Sequence, residues 1–179
     1  MNVRERLALT DPAQIAGRIT SFLAEQVREQ YRDGAILGLS GGVDSALSAF
    51  LAVRALGPSR VSLLFLPEWY THPTSRRDAA SVAAALGVPL QTISIAPLLL
   101  TMGAHRLTPP GWLFPRRAQE RYVRRQYLTL QGDQPSTFIR TLRGGDGIAR
   151  LRRSNAYLHV KHRLRLALWY YWSEYRIQL

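Results

Sequence analysis

Six consecutive residues, Ser40-Gly41-Gly42-Val43-Asp44-Ser45, bring together the groups needed to hold a phosphate. Two glycines let an anion approach the backbone closely, and two serines add hydroxyl donors. The apolar run at 35–39 predicts a short buried strand in front, and the helical spacing of 46–53 predicts a helix behind. The turn therefore opens a helix, whose N-terminus carries unpaired N–H donors and partial positive charge. Asp44 stands out, because a carboxylate would repel a phosphate. It makes sense there as a ligand for a divalent cation that in turn binds phosphate oxygens. The plainer reading is a strand-to-helix turn with Asp44 favouring the helix dipole. The complete hexapeptide between strand and helix favours nucleotide binding over that reading. It is not a Walker A loop, which ends in Gly-Lys-Ser/Thr, and the single lysine of this chain is Lys161.

The surrounding elements follow from pattern. Asp11 caps a first helix with Pro12 at its first position and Gln14 three residues after the cap. Ile15, Ile19, Phe22, Leu23 and Val27 mark its apolar face, and it ends near Tyr31. The helix after the glycine loop stops at Gly57-Pro58. Residues 61–66 read as a second buried strand, closed by Pro67. Thr74 or Ser75 caps a third helix with Ala79, Val82, Ala83 and Leu86 inward and Gly87 at its end. Residues 89–95 read as a third strand. Strands alternating with helices of this length imply a parallel sheet covered on both faces, with ligands beyond the carboxyl ends of the strands.

From 96 to 153 prolines interrupt the pattern and arginines accumulate. A helix is predicted from about 115 to 130, with Val123, Tyr127 and Leu130 as its apolar side. Arg140, Arg143, Arg150, Arg152 and Arg153 surround a Gly144-Gly145-Asp146-Gly147 turn. The plain reading is a solvated insertion over the sheet; the sharper one is an electropositive rim for a dinucleotide or RNA. Residues 155–175 read as one helix with Val160, Leu164, Leu168, Tyr171 and Tyr175 along one side. Trp169, Tyr170 and Trp172 widen that surface, and Arg176 to Leu179 would begin another strand.

Composition narrows the classes. With 179 residues and 46% hydrophobic content, one domain able to bury a core is expected. A net charge of +12 and a pI near 11.1 point to anionic partners, among which nucleic acid is the less favoured. The absence of cysteine excludes a cysteine nucleophile, an iron–sulfur cluster or a thiolate zinc site in this chain, and fits a cytoplasmic protein. No apolar run is long enough to span a membrane.

The hexapeptide resembles the PP-loop of the ATP pyrophosphatases, and three stretches together resemble NAD synthetases. The first runs from Ile19 to Leu66 around the loop. The second, from Thr74 to Ile95, is similar to that family's Ser-rich turn, Asp-Ala pair, Ala-Leu-Gly and Ile-x-Ile run. The third is His159-Val160-Lys161-His162-Arg163-Leu164-Arg165-Leu166, similar to the family's Asn-Ile-Lys/Gln-Ala-Arg-x-Arg-Met helix.

The resemblance implies an α/β fold of the adenine nucleotide α-hydrolase-like (Rossmann-like) kind, a parallel sheet with helices on both faces, incomplete at the C-terminus. It implies a single PP-loop ATP-binding domain over 1–179 with an Arg/Pro-rich insertion at about 97–153. It also implies an ammonia-dependent amide ligase that uses ATP and magnesium (Mg2+) to adenylate nicotinic acid adenine dinucleotide and then amidates it. Carried over, Ser40, Gly41, Gly42, Val43, Asp44 and Ser45 would hold ATP, with Asp44 also holding the metal. The main chain at Leu66 would meet adenine. Arg163, and His159 where the family has asparagine, would contact the dinucleotide. A homo-oligomer, in the family a homodimer, and a separate glutaminase as ammonia source are the implied partners.

The chain departs from the pattern in two further ways: the 96–153 region is longer than the usual connection, and the sequence ends at Leu179, where the family continues into a strand followed by Thr-Gly-Asn-Lys-Ser-Glu. The expectation is thus a truncated relative, weak or inactive alone. The competing readings are a tRNA-modifying PP-loop enzyme resembling tRNA lysidine synthetase, and a non-catalytic nucleotide-binding module.

Overall fold

The structure is a computed structural model describing residues 11–131 and 148–177, with side chains at 11–125 and 152–175. The chain forms two compact units. One holds the described residues up to Leu66, then Pro73–Ile93 and the chain from Trp169 on; the other holds Pro67–His72 and the described residues of Ser94–Leu168.

The first unit is built on a parallel sheet of three strands in the order β1-β2-β3: β1 Ala35–Gly38, β2 Val61–Phe65 and β3 Leu90–Thr92. Ala35 pairs with Val61 and Gly38 with Leu64, while Leu63 pairs with Leu90. Because side chains alternate along a strand, Leu37 and Leu39 share a face with Val61, Leu63 and Phe65. That face packs on α2 (Val43–Leu56) through Ala49 and Ala52, and on α3 (Pro73–Leu86) through Ala79 and Ala83. The alanines let both helices lie close to the strands. Sequential strand order with right-handed crossovers places α2 and α3 on the same side. Gly38 faces the other way and lies against the indole of Trp169; a Cβ there would overlap the ring.

Local chemistry accounts for the helix ends. In α1 (Pro12–Glu29) the Asp11 carboxylate accepts the Gln14 N–H at 2.9 Å, with proline at the first position. Asp11→Ala removes that acceptor, and a thermal melt is expected to show a loss of about 1 kcal/mol. Gly57, at φ 83°, donates to the Val53 carbonyl at 2.8 Å and closes α2. Gly87, at φ 66°, donates to Ala84 while Val88 donates to Ala83, both at 3.1 Å. This paired arrangement ends α3 and turns Val88 into the core.

Several expectations need correction. α3 starts at Pro73, so neither Thr74 nor Ser75 is its cap. The third strand is confined to Leu90–Thr92. Beyond it Ile93 donates to the Phe65 carbonyl, and Ile95 caps a helix, α4 (Ala96–Thr101), that periodicity did not reveal in so short a run. Phe22 is 57% exposed although its spacing placed it inward.

The second unit contains α4, α5 (Arg116–Gln131) and most of α6 (Ile148–Ile177). On α5 Val123 is 46% exposed, and Tyr122 instead makes the contact, stacking on Tyr70 at 5.9 Å. The side chains of Tyr127 and Leu130 fall outside the described residues, as do Arg140, Arg143 and the Gly144–Gly147 turn. α6 begins at Ile148 rather than 155 and continues through Arg176 and Ile177, so those two residues do not start a strand. Val160, Leu164 and Leu168 are half-buried on α6, whereas Tyr171 and Tyr175 are exposed and stack on each other at 5.6 Å. Among the described residues no helix is long and apolar enough to cross a membrane.

Candidate nucleotide site

The hexapeptide lies at the carboxyl end of β1. The Leu39 N–H reaches the Leu64 carbonyl at 2.8 Å, which extends the ladder one residue past Gly38. Ser40 therefore starts the loop level with Leu66 at the same edge of the sheet. Leu66 is 6% exposed, so its side chain is core and only its main chain could meet a ligand.

The two serines shape the loop. Ser45 Oγ donates to the Gly42 carbonyl at 2.9 Å and accepts the Ser40 N–H at 3.1 Å. Its one proton is thus committed, so in the 3.0 Å contact between the hydroxyls Ser40 is the donor. Ser40 Oγ in turn accepts the Gly42 N–H at 3.2 Å. Gly41 adopts φ 83°, and a Cβ on it would lie 2.5 Å from the Ser75 carbonyl oxygen, so the loop passes against the first turn of α3 where only glycine fits.

Gly42 caps α2 without a side-chain hydrogen bond, and the first helical bond is Ala46 N–H to Gly42 carbonyl at 3.1 Å. Among the described residues no acceptor faces the N–H groups of Val43 and Asp44. The loop thus offers backbone donors at a helix N-terminus, with the serine hydroxyls close enough to exchange their internal partners for phosphate oxygens. Val43 is 79% exposed and contributes through its backbone. Asp44 is exposed in the first turn, and Ser48 Oγ donates to its carbonyl at 2.9 Å. Among the described residues no three acidic or histidine side chains gather into a metal-binding cluster. A single carboxylate at a phosphate cradle fits magnesium, which usually takes one or two carboxylates and completes its shell with phosphate oxygens and water.

His159 and Arg163 belong to the second unit. They sit four residues apart on the exposed face of α6. The opposite face of that helix, through Tyr157 and Lys161, meets Glu68 of the 67–72 segment, which no motif marks. The Glu68 carboxylate, 6% exposed, accepts the Tyr70 N–H at 2.8 Å, the Tyr157 hydroxyl at 3.0 Å and Lys161 Nζ at 3.3 Å. Lys161 also lies 4.7 Å over the Tyr157 ring, which stacks with Trp69. The available signal was a lone acid after the second strand and a lone lysine in a basic helix, separated by 93 residues.

Burial shifts the ionisation of several groups here. It holds His162 below the usual imidazole range, and the neighbouring charges of Arg165, Lys161 and His159 push the same way, so this helix is electropositive. Burial, then Tyr122, then Glu68, pushes the Tyr70 hydroxyl up to about 12, and Tyr157 is driven up further by burial and by Glu68. The folded state keeps tyrosine protons that the unfolded chain releases, so the contribution of these two tyrosines to stability is full below pH 10 and is lost as pH rises toward 12. Urea unfolding from pH 8 to 11.5 should show this decline, and Tyr70→Phe, which also loses the bond to the Pro109 carbonyl, should start lower but fall less steeply.

Elsewhere α5 exposes Arg116, Arg117, Arg121, Arg124 and Arg125, of which Arg116 pairs with Glu120 at 3.6 Å.

Comparison with known proteins adds the family. Residues 15–111 match the family model described as NAD synthase. The chain belongs to the NAD synthase family. The ammonia-dependent NAD synthetases of Thermotoga neapolitana and Thermotoga maritima are each 39% identical to it over 158 residues. That alignment takes in 88% of this chain and 53% of the T. neapolitana protein. The chain thus spans about half the length of the curated relatives it matches. Among solved structures, an ammonia-dependent NAD synthetase from Campylobacter jejuni superposes with TM-score 0.50 at 27% identity, over 68% of this chain and 50% of that one. A glutamine-dependent NAD synthetase from Acinetobacter baumannii, solved with ADP, gives TM-score 0.51 at 30% identity over 63% of this chain and 22% of that one. The Rossmann-like fold expected from the sequence is that of these NAD synthetases.

Proposed function

We propose that this chain carries the ATP site and part of the dinucleotide site of an ammonia-dependent NAD synthetase, an amide ligase of NAD biosynthesis. The observation that carries the reading is the strand–loop–helix at 35–56, with uncommitted N–H donors at its helix start, in a chain of this family. Ser40, Gly41, Gly42, Val43 and Ser45 bind the β- and γ-phosphates of ATP, and the main chain at Leu66 borders adenine. Asp44 holds magnesium, which when bound neutralises phosphate charge and favours pyrophosphate as leaving group. Arg163 and His159 bind nicotinic acid adenine dinucleotide.

In the reaction, a carboxylate oxygen of the dinucleotide attacks the α-phosphorus of ATP. The bond from that phosphorus to the bridging oxygen of the β-phosphate breaks, and pyrophosphate leaves. Ammonia then attacks the activated carbonyl carbon, loses a proton and expels AMP. The chain's own contribution is orientation and charge neutralisation, and no protein nucleophile is involved. The same reading makes the protein a cytoplasmic homodimer with one PP-loop domain and an arginine-rich insertion at about 97–153, receiving free ammonia or ammonia from a separate glutaminase.

The test supplies the chain with ATP, magnesium, the dinucleotide and ammonium, and follows nucleotides by chromatography. Slow turnover is expected of this chain. Any ATP consumed should appear as AMP in equal amount to NAD. ADP as product, or AMP formed without the dinucleotide, would contradict the reading.

A further inference from the structure

The packing of α6 in the second unit has a definite rotation about its axis. Tyr157, Val160, Lys161, Leu164 and Leu168 recur at helical spacing and are buried or half-buried. His159 and Arg163 lie on the far side and are exposed. One residue of slippage turns a helix by about 100°, which would carry Arg163 well away from its present direction. Something must therefore select this rotation over neighbouring ones. Within the second unit the aliphatic side chains of α6 select it weakly, because Leu158 and Leu166, at 45% and 47% exposure, could replace inner ones at little loss.

Glu68 selects it strongly. Its carboxylate is buried and accepts three donors, of which Tyr157 and Lys161 stand four residues apart on α6. A turn of α6 in either direction would take Tyr157 and Lys161 off this carboxylate and turn Arg165, whose charge also acts on Glu68, away with them. A buried charge that loses its cations costs far more than a lost apolar contact. The segment bearing Glu68 is itself fixed. Thr71 Oγ1 accepts the Glu68 N–H at 2.8 Å and the Thr71 N–H returns to the Glu68 carbonyl at 3.0 Å. Tyr70 donates to the Pro109 carbonyl at 2.6 Å, and Trp69 is held edge-on by Trp112 at 5.4 Å. The node is thus a rigid post rather than a flexible surface pair.

We propose that Glu68, with Tyr157 and Lys161, is a positioning device that sets the rotation of α6 and so presents Arg163 and His159 to the dinucleotide. This deepens the NAD synthetase reading and rests on it. Glu68 touches no substrate; it acts through the helix.

The experiment measures two affinities of the full 179-residue chain by calorimetry, one for ATP with magnesium and one for nicotinic acid adenine dinucleotide. In Glu68→Gln and Lys161→Met the dinucleotide Kd is expected to rise about tenfold, with the ATP Kd changed less than about twofold. Lys161→Arg, which restores a cation to Glu68, should recover most of the loss. Tyr157→Phe removes one hydrogen bond with little change of shape, and carries the test if the charge variants fail to fold; about a threefold rise in dinucleotide Kd is expected. Unchanged dinucleotide affinity in folded variants, even with a lower melting temperature, would overturn the proposal and leave the node purely structural. Equal loss for both ligands would overturn it as well. Arg163→Ala separates this failure from failure of the underlying reading. Wild-type protein that does not bind the dinucleotide, or that binds it unchanged in Arg163→Ala, removes the substrate assignment itself and this inference with it.

Discussion

Replacing Gly41 by alanine should weaken ATP binding about a hundredfold. Two causes act together. At φ 83° an L-residue is strained by about 1 kcal/mol, since its Cβ crowds its own backbone. The added carbon would also sit 2.5 Å from the Ser75 carbonyl oxygen, well inside contact distance. The neighbour is backbone in the first turn of α3 and cannot swing aside as a flexible side chain would. The loop must therefore move away from α3, and the hydroxyl of Ser40 and the N–H groups that follow move with it. Displacement of a phosphate cradle by a fraction of an ångström misaligns several donors at once. Stability should fall by only a few degrees in melting temperature, because the sheet core at Leu63, Phe65 and Val88 is untouched. A large loss of affinity with a small loss of stability is the signature to look for.

Asp44→Asn should produce an effect whose sign depends on magnesium. The carboxylate lies in the first turn of α2, beside the uncommitted backbone donors of the loop. If it met phosphate directly, like charges would oppose each other and asparagine would improve binding. If it holds magnesium, the metal converts repulsion into attraction and asparagine weakens binding. With magnesium present the Kd for ATP is therefore expected to rise about tenfold in the variant. With the metal chelated, the variant should bind ATP as well as wild type or better. The helix itself loses only about 0.5 kcal/mol from the missing favourable charge at its N-terminus. Weaker binding by the variant under both conditions would mean that Asp44 serves the loop's shape rather than a cation.

These effects are predictable because the loop was legible from the sequence. Glycine at 41, a small cap at 42 and hydroxyls at 40 and 45 are local requirements, and each appears within six residues of the others. The same holds for Asp11 as a cap, and for Gly57 and Gly87 as stops, where backbone geometry dictates residue type. The alternation of strand and helix through 95 was also readable, and it placed the loop at the carboxyl edge of the sheet.

Legibility failed where partners lie far apart in the chain. Nothing near Glu68 announces that Lys161 will neutralise it, and nothing near Gly38 announces Trp169. Periodicity also misplaced side chains on helices with several apolar stripes. On α5 Tyr122, not Val123, is the packing residue, because its ring finds Tyr70. On α1 Phe22 fits the inward stripe yet stays exposed. The serine hydroxyls, expected as phosphate donors, first build the loop, while the helix-start N–H groups are uncommitted, as the strand-to-helix turn implies.

The most direct test of the central claim is a calorimetric titration of the chain with ATP and magnesium, run beside Gly41→Ala. One-to-one binding with a micromolar Kd, largely abolished in the variant while its fold persists by circular dichroism, is the predicted result. Equal binding by both proteins would place ATP somewhere other than this loop and contradict the account.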